Sequence, residues 1–155
     1  MIRPATADDF DFVNDVLRAN GLSEWGREVF QLRIQAGVER TFLIDEGVGF
    51  SVACLVAGKP NEGYCSHLLR YPAEESVVVP WWRQMIKAMV AAALAKVPTL
   101  KLIHVHLPPA SASTCIKPAA LQKVGGVLLW SEGEGGYTAH IEPRALLAWA
   151  NNKRK

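Results

Sequence analysis

The chain has 155 residues and a mass of 17.0 kDa, a length that predicts one domain able to bury its own core. Half of its residues are hydrophobic and 21% are charged, which excludes a disordered chain. The net charge is only +2, so bulk charge gives no indication of binding to nucleic acid or to a membrane surface.

Several features predict a cytoplasmic protein. The opening residues run into acidic positions without an apolar signal region. The longest helix-like apolar stretch, residues 85–97, is interrupted by lysines and is too short to span a bilayer. The cysteines are odd in number and have no motif spacing, which predicts free thiols in a reducing compartment. They are Cys54, Cys65 and Cys115.

The first third of the chain predicts a short strand and two helices. Residues 2–5 read as an edge strand, where a proline is tolerated. Thr6 then caps a helix with Asp9 at its third position, and Gly21 ends it. A second helix is expected from near Ser23 to Gly37, with its apolar stripe every three to four residues. That stripe consists of Trp25, Val29, Leu32 and Ala36.

The middle of the chain predicts an antiparallel meander followed by a helix. Its three strands are residues 40–45, 48–57 and 64–71, with turns at 46–47 and 58–63. A helix follows from Pro80, at a permitted first-turn position, to Lys96. Met85 and Met89 of this helix are expected in the core.

The last third predicts three more strands and two helices. The strands are residues 100–107, 127–131 and 137–141, and a short helix ends at Gly125 and Gly126, one of which should adopt positive φ. A helix over 143–149 and a polar tail complete the chain. The whole order predicts an α/β (α+β) domain over residues 1–142 with residues 143–155 appended, built on a mixed, mostly antiparallel sheet flanked by helices.

This order of elements resembles the GNAT acyltransferase superfamily over residues 1–141. The opening Ile2–Asp9 is similar to the usual start of these proteins, and Ala120–Gly126 looks like their late helix running into a glycine turn. The resemblance implies the GNAT fold and an acetyl-CoA site where the fourth strand meets the third helix. In length and layout the chain is also similar to small GNAT-like internal virion proteins of short-tailed bacteriophages, which implies a location in the virion or the host cytoplasm.

The cofactor loop of the family departs from its pattern here. In GNAT proteins an Arg/Gln-x-x-Gly-x-Gly/Ala loop offers backbone N–H groups to the pyrophosphate at a helix N-terminus. The matching segment keeps Arg70, but Ala73 replaces the first glycine and Glu75 replaces the second small residue. Pro72 removes one N–H donor. Glu74 and Glu75 would face the pyrophosphate with like charge, so the sequence predicts that no cofactor is bound.

The catalytic positions of the family are also altered. Leu121 stands where the late helix usually carries the tyrosine that protonates the leaving thiolate, and it cannot donate a proton. His67, His104 and His106 are candidate general bases if the protein is active, because they flank the expected cleft between the fourth and fifth strands. The alternative is that they are half-buried structural histidines. With Cys65 they match no standard zinc spacing, so no metal is predicted.

Three tryptophans are candidate interface residues. Trp81 and Trp82 are adjacent on a predicted helix and point about 100° apart, so one should pack on the sheet and the other reach the surface. Trp149 either docks on its own sheet or contacts a neighbouring protein.

Two function hypotheses follow. The first is a non-enzymatic GNAT-fold protein with a binding or structural role, no cofactor and a protein partner from a virion or host. The alternative is an active acetyl-CoA-dependent N-acetyltransferase with a non-standard cofactor loop. Neither hypothesis includes nucleic acid as a partner.

Overall fold

The computed structural model describes residues 1–35, 41–107, 123–131 and 137–152. In these residues seven strands form one sheet, in the order β1-β2-β3-β4-β5-β7-β6. They are β1 (Ile2–Pro4), β2 (Thr41–Asp45), β3 (Gly49–Val56), β4 (Lys59–Arg70), β5 (Leu102–Leu107), β6 (Val127–Ser131) and β7 (Tyr137–Ile141). Of the neighbouring pairs only β4–β5 is parallel. The predicted mixed, mostly antiparallel sheet is confirmed.

Helices cover both faces of this sheet. They are α1 (Phe10–Ala19), α2 (Arg27–Ile34), α3 (Glu75–Lys96) and α4 (Pro143–Asn152), with a 3-10 turn at Ala7–Asp9. Alternate residues of β2 enter different cores: Phe42 and Ile44 pack with α1 and α2, whereas Leu43 packs with α3 and α4. Because successive strand residues point to opposite faces, the two helix pairs lie on opposite sides of the sheet.

The start of the chain folds as predicted. The backbone N–H of Thr6 donates to the Asp9 carboxylate at 2.8 Å, and the N–H of Asp9 donates to the Thr6 carbonyl at 3.0 Å. Arg3 adds two hydrogen bonds to the same carboxylate, at 2.8 and 2.7 Å, and they are the main reason that the pKa of Asp9 is lowered. Gly21 ends the segment with φ +71°.

The prediction for α2 was wrong in its start and in its buried face. The helix begins at Arg27, after Gly26 in an extended conformation. The Asn14 side chain ties down Trp25 ahead of it by hydrogen bonds to the Trp25 N–H and carbonyl at 2.8 and 3.0 Å. The buried residue is Phe30, at 1% exposure, whereas Val29 and Leu32 of the expected stripe are exposed. Ala36 and Gly37 lie outside the described residues.

Two boundaries in the middle of the chain also differ from the prediction. Strand β4 begins at Lys59, because Gly58 closes a tight turn with φ +76°. Helix α3 begins at Glu75 and contains Pro80. A proline inside a helix leaves the carbonyl four residues earlier without its N–H partner. That residue, Ser76, is exposed, so its carbonyl can bond water and the helix continues through Pro80.

The core side of α3 holds both of its tryptophans. Trp81 is 7% and Trp82 is 2% exposed, so the expectation that one would reach the surface was wrong. Helix α3 contacts the sheet and also α4, and both directions that the tryptophans take are therefore covered. Met85 and Met89 are fully buried, as predicted. No helix among the described residues has the length and apolarity needed to cross a bilayer.

Candidate functional site

Strands β4 and β5 separate partway along their length. Their parallel pairing runs from Glu62 opposite Leu102 to Cys65 opposite Val105. Beyond that point β4 continues to Arg70 beside β3, and β5 continues to Leu107 beside β7. The pairing of the two strands therefore ends partway along their length, at the place where the sequence predicts a cleft between them.

A β-bulge at Ser66 decides which face of the sheet the neighbouring side chains occupy. Ala53 of β3 pairs with Cys65, and the next residue, Val52, pairs with His67, which leaves Ser66 unpaired. An extra residue shifts the alternation of a strand. Cys65 therefore enters the core under α3, whereas the ring of His67 packs against Trp25 on the opposite face.

His67 is enclosed by aromatic rings. Its ring meets Trp25 edge-on at 5.0 Å and stacks on Phe50 at 6.2 Å, and its Nδ1 lies 3.0 Å from the Ser66 hydroxyl. Burial, and secondarily the Arg33 charge, lowers the pKa of His67 to about 4. The imidazole is neutral at pH 7. Its surroundings are those of a half-buried, hydrogen-bonded histidine.

His104 belongs to a polar cluster on the same face of the sheet. Its Nε2 lies 2.7 Å from a Glu62 carboxylate oxygen, and the His140 ring meets it edge-on at 4.7 Å. The hydrogen bond from His104 is the main reason that the pKa of Glu62 is lowered, with a smaller contribution from Lys59. Tyr64 lines an open depression of about 630 Å³ together with His104 and His140. A half-buried histidine oriented by a carboxylate can accept or donate a proton.

Two members of this cluster were not predicted. Glu62 and His140 reach His104 because they lie beside it on β4 and β7. His140 lies directly opposite His104, whereas Glu62 lies opposite Leu102 and reaches His104 diagonally. The sequence separations are large, so no local pattern indicated these contacts. His106 lies opposite Thr138 in the backbone register, and its side chain is outside the described residues. So are Leu121 and Cys115 and the helix expected before Gly125.

The remaining cysteine and metal candidates are separated by the fold. The Cys65 thiol donates to the His67 carbonyl at 3.2 Å, and burial raises its pKa to about 12. Cys54 and Cys65 are both free thiols. Within the described ranges no three His, Cys, Asp or Glu side chains are grouped as a metal ion requires.

The loop between β4 and α3 is acidic at the point where the helix starts. Glu74 is the N-cap residue, and its carbonyl accepts from the N–H groups of Val77 and Val78, both at 2.9 Å. Glu74 and Glu75 are exposed and Ala73 is half-buried. Within this loop no residue adopts positive φ.

Arg70, the one residue of the loop that matches the family pattern, is used internally. Its Nε donates to the Tyr71 carbonyl at 2.8 Å, and its guanidinium lies 5.6 Å from the centre of the Trp81 ring. The indole N–H of Trp81 donates to the Asp45 carboxylate at 3.0 Å, whereas the indole N–H of Trp82 is buried and has no partner among the described residues.

Comparisons with known proteins identify the fold. The structure is similar to the ribosomal-protein-S18-alanine N-acetyltransferase of Escherichia coli, with a TM-score of 0.59, 12% identity and coverage of 91% of this chain and 90% of the other. It is similar to an uncharacterized protein of Bacillus halodurans at TM-score 0.63, 12% identity and 99% and 89% coverage. It is also similar to the diaminobutyrate acetyltransferase of Paenibacillus lautus, solved with its substrate and coenzyme A. The TM-score is 0.56 and the identity 16%, with coverage of 92% of this chain and 94% of the other.

No family model matches the sequence, and no curated protein matches it either. The chain has the fold of the GNAT acetyltransferases, as the order of its elements predicted. At these identities the likeness defines the fold alone, because one fold can host many functions.

Proposed function

We propose that this chain uses the GNAT fold as a binding module and does not bind acetyl-CoA. The observation that supports the proposal is the acidic N-terminus of α3, where Glu74 caps the helix and Glu75 occupies its first turn. These are the positions at which the fold would hold the pyrophosphate of the cofactor.

The N-terminus of a helix attracts anions because its first N–H groups and its dipole present positive charge. Two exposed carboxylates already supply negative charge at the N-terminus of α3. A pyrophosphate would add like charges beside them. Pro72 has no N–H to offer, and the N–H groups of Val77 and Val78 are bonded to the Glu74 carbonyl. The segment thus combines one missing N–H donor with two carboxylates, and both features disfavour a bound pyrophosphate.

The binding partner in this proposal is a protein. The layout of the chain is similar to that of internal virion proteins of short-tailed phages, which favours a virion or host protein as the partner. A GNAT fold can serve such a role without catalysis, because one fold can host many functions.

Isothermal titration with acetyl-CoA and CoA tests the proposal. We expect the native chain to bind neither ligand with a Kd below about 1 mM, which corresponds to about 4 kcal/mol of binding free energy. The variant Ala73→Gly/Glu74→Ala/Glu75→Gly restores the family loop and should bind measurably better, with an affinity that falls as salt rises. Asp11→Ala/Glu28→Ala removes two exposed carboxylates elsewhere and should change nothing. Micromolar binding by the native chain would refute the proposal.

The second candidate is acetyl transfer to an amine, favoured by the His104–Glu62 hydrogen bond beside the splay of β4 and β5. A histidine held by a carboxylate is suited to take a proton from an attacking amine. This function requires cofactor binding first. If the native chain binds acetyl-CoA, His104→Gln should lower the rate of amine acetylation and leave the affinity for acetyl-CoA unchanged.

A further inference from the structure

A basic groove runs along the outer side of α3, between β1 and α4. It has a volume of about 880 Å³. Three basic side chains line it: Arg83, Lys87 and Lys123. Its apolar surface includes Ala88, Ala91 and Trp149. The groove lies away from the acidic N-terminus of α3 and from the His104 cluster.

The cations of this groove have no anionic partner in the described part of the chain. None of the three appears in an ion pair there, whereas Arg3 and Arg18 are each paired with two carboxylates. The carboxylate that lines the groove, Asp45, is already bonded to the Met1 amino group at 3.1 Å and to an indole N–H. The groove is therefore positively charged although the whole chain is nearly neutral.

The spacing of these residues fits an elongated ligand. Arg83 and Lys87 are four residues apart on α3, so they share one face of the helix. The lining extends to Ala91, a rise of roughly 12 Å, or about two helical turns. Alanines along this face let another backbone approach closely.

Trp149 shapes one wall of the groove and is not a stacking platform. A Cβ added at Gly125 would lie 2.8 Å from its side chain, so the glycine packs closely against it. The Arg83 guanidinium lies 6.0 Å from the ring centre. Binding of single-stranded nucleic acid depends on aromatic faces that bases can stack on. With Gly125 and Arg83 beside this ring, the groove favours a protein ligand.

We propose that this groove binds an acidic amphipathic helix of a partner protein. The apolar face of such a helix would cover the two alanines and the edge of Trp149, and its carboxylates would meet the three cations. The inference rests on the proposed binding role and names the chemistry of its partner. It also gives Trp149 the interface position predicted from the sequence, whereas Trp81 and Trp82 are buried in the core.

The probe is a fluorescent peptide of about 14 residues, with leucines at helical spacing and glutamates and alanines between them. Fluorescence anisotropy should show micromolar binding at about 50 mM salt, weakening as salt rises. Arg83→Glu/Lys87→Glu should weaken binding about tenfold or more. Arg27→Glu/Lys101→Glu carries the same charge change outside the groove and should weaken it much less. Circular dichroism verifies the fold of each variant.

A third variant separates shape from charge. Ala91→Lys adds a cation but fills the apolar surface, so it should weaken binding of the peptide. The inference is overturned if both charge-reversal variants weaken binding equally, if a peptide with the same composition in scrambled order binds as well, or if a single-stranded oligonucleotide of equal charge binds more tightly. Acetyl-CoA titrated into the same proteins reports on the proposed function separately, because micromolar binding there would refute that role without altering the peptide result.

Discussion

Acidification should destabilise the protein through His67. Burial lowers the pKa of this histidine to about 4 in the folded chain, and unfolding returns it to about 6.5. Between these two values the unfolded state binds more protons than the folded state, so the free energy of unfolding falls as the pH falls. The full difference is about 3 kcal/mol, of which about 2 kcal/mol is lost between pH 7 and pH 5.

Urea denaturation followed by circular dichroism at pH 7 and pH 5 measures this loss. The matched variant is His67→Gln, which does not titrate and keeps a group able to hydrogen-bond the Ser66 hydroxyl. The native chain should lose about 2 kcal/mol more than the variant over this interval. The other histidines are present in both proteins, so their contributions cancel. Equal losses would show that His67 titrates normally and that its ring is not enclosed by Trp25 and Phe50.

Two further predictions concern stability at constant pH, each measured by urea denaturation against its partner variant. Trp81→Phe should lower the free energy of unfolding by about 1–3 kcal/mol more than Trp82→Phe does. The first change removes a donor from the Asp45 carboxylate, whereas the second removes a buried N–H that has no partner in the described part of the chain. Equal losses would contradict these assignments. Gly126→Ala should lower the free energy of unfolding more than Gly21→Ala does. Both glycines have positive φ, so each substitution adds about 1 kcal/mol of backbone strain. Only at Gly126 would the new Cβ also lie 2.6 Å from a backbone nitrogen, that of Leu146. A smaller cost at Gly126 would mean that α4 does not pack there.

The local features of the sequence predicted the fold well. The Thr6–Asp9 cap, the end of α1 at Gly21 and the positive φ of Gly126 are set by residues within a few positions of each other. Hydrophobic patterning was sufficient to predict the existence of the strands and the burial of Met85 and Met89 in α3, but not the burial of both tryptophans. These features depend on backbone conformation and periodicity, which a sequence displays directly.

The errors arose where distant residues decide the local structure. The start of α2 depends on Asn14, which lies eleven positions before Trp25. The Asn14 side chain hydrogen-bonds the Trp25 backbone, in place of the first helical turn expected there. The bulge at Ser66 reverses the side chains after it, so Cys65 and His67 do not share a face. The pair Glu62 and His104 is brought together by a parallel register that no local pattern encodes. Candidate site residues were therefore harder to predict than the elements that carry them.

Helix α3 connects the two proposals made for this protein. Its N-terminus carries Glu74 and Glu75, and its next turns carry Arg83 and Lys87. Carboxylates at the N-terminus of a helix are stabilised by its dipole, so the acidic loop favours folding of the helix, and in our proposal it also disfavours an anionic cofactor. The unpaired cations beyond it gain nothing comparable from the described part of the chain, which is why we infer that they serve a partner. Reversing the charge at each end should therefore have separable effects: changes at Glu74 and Glu75 on acetyl-CoA, and changes at Arg83 and Lys87 on the acidic peptide.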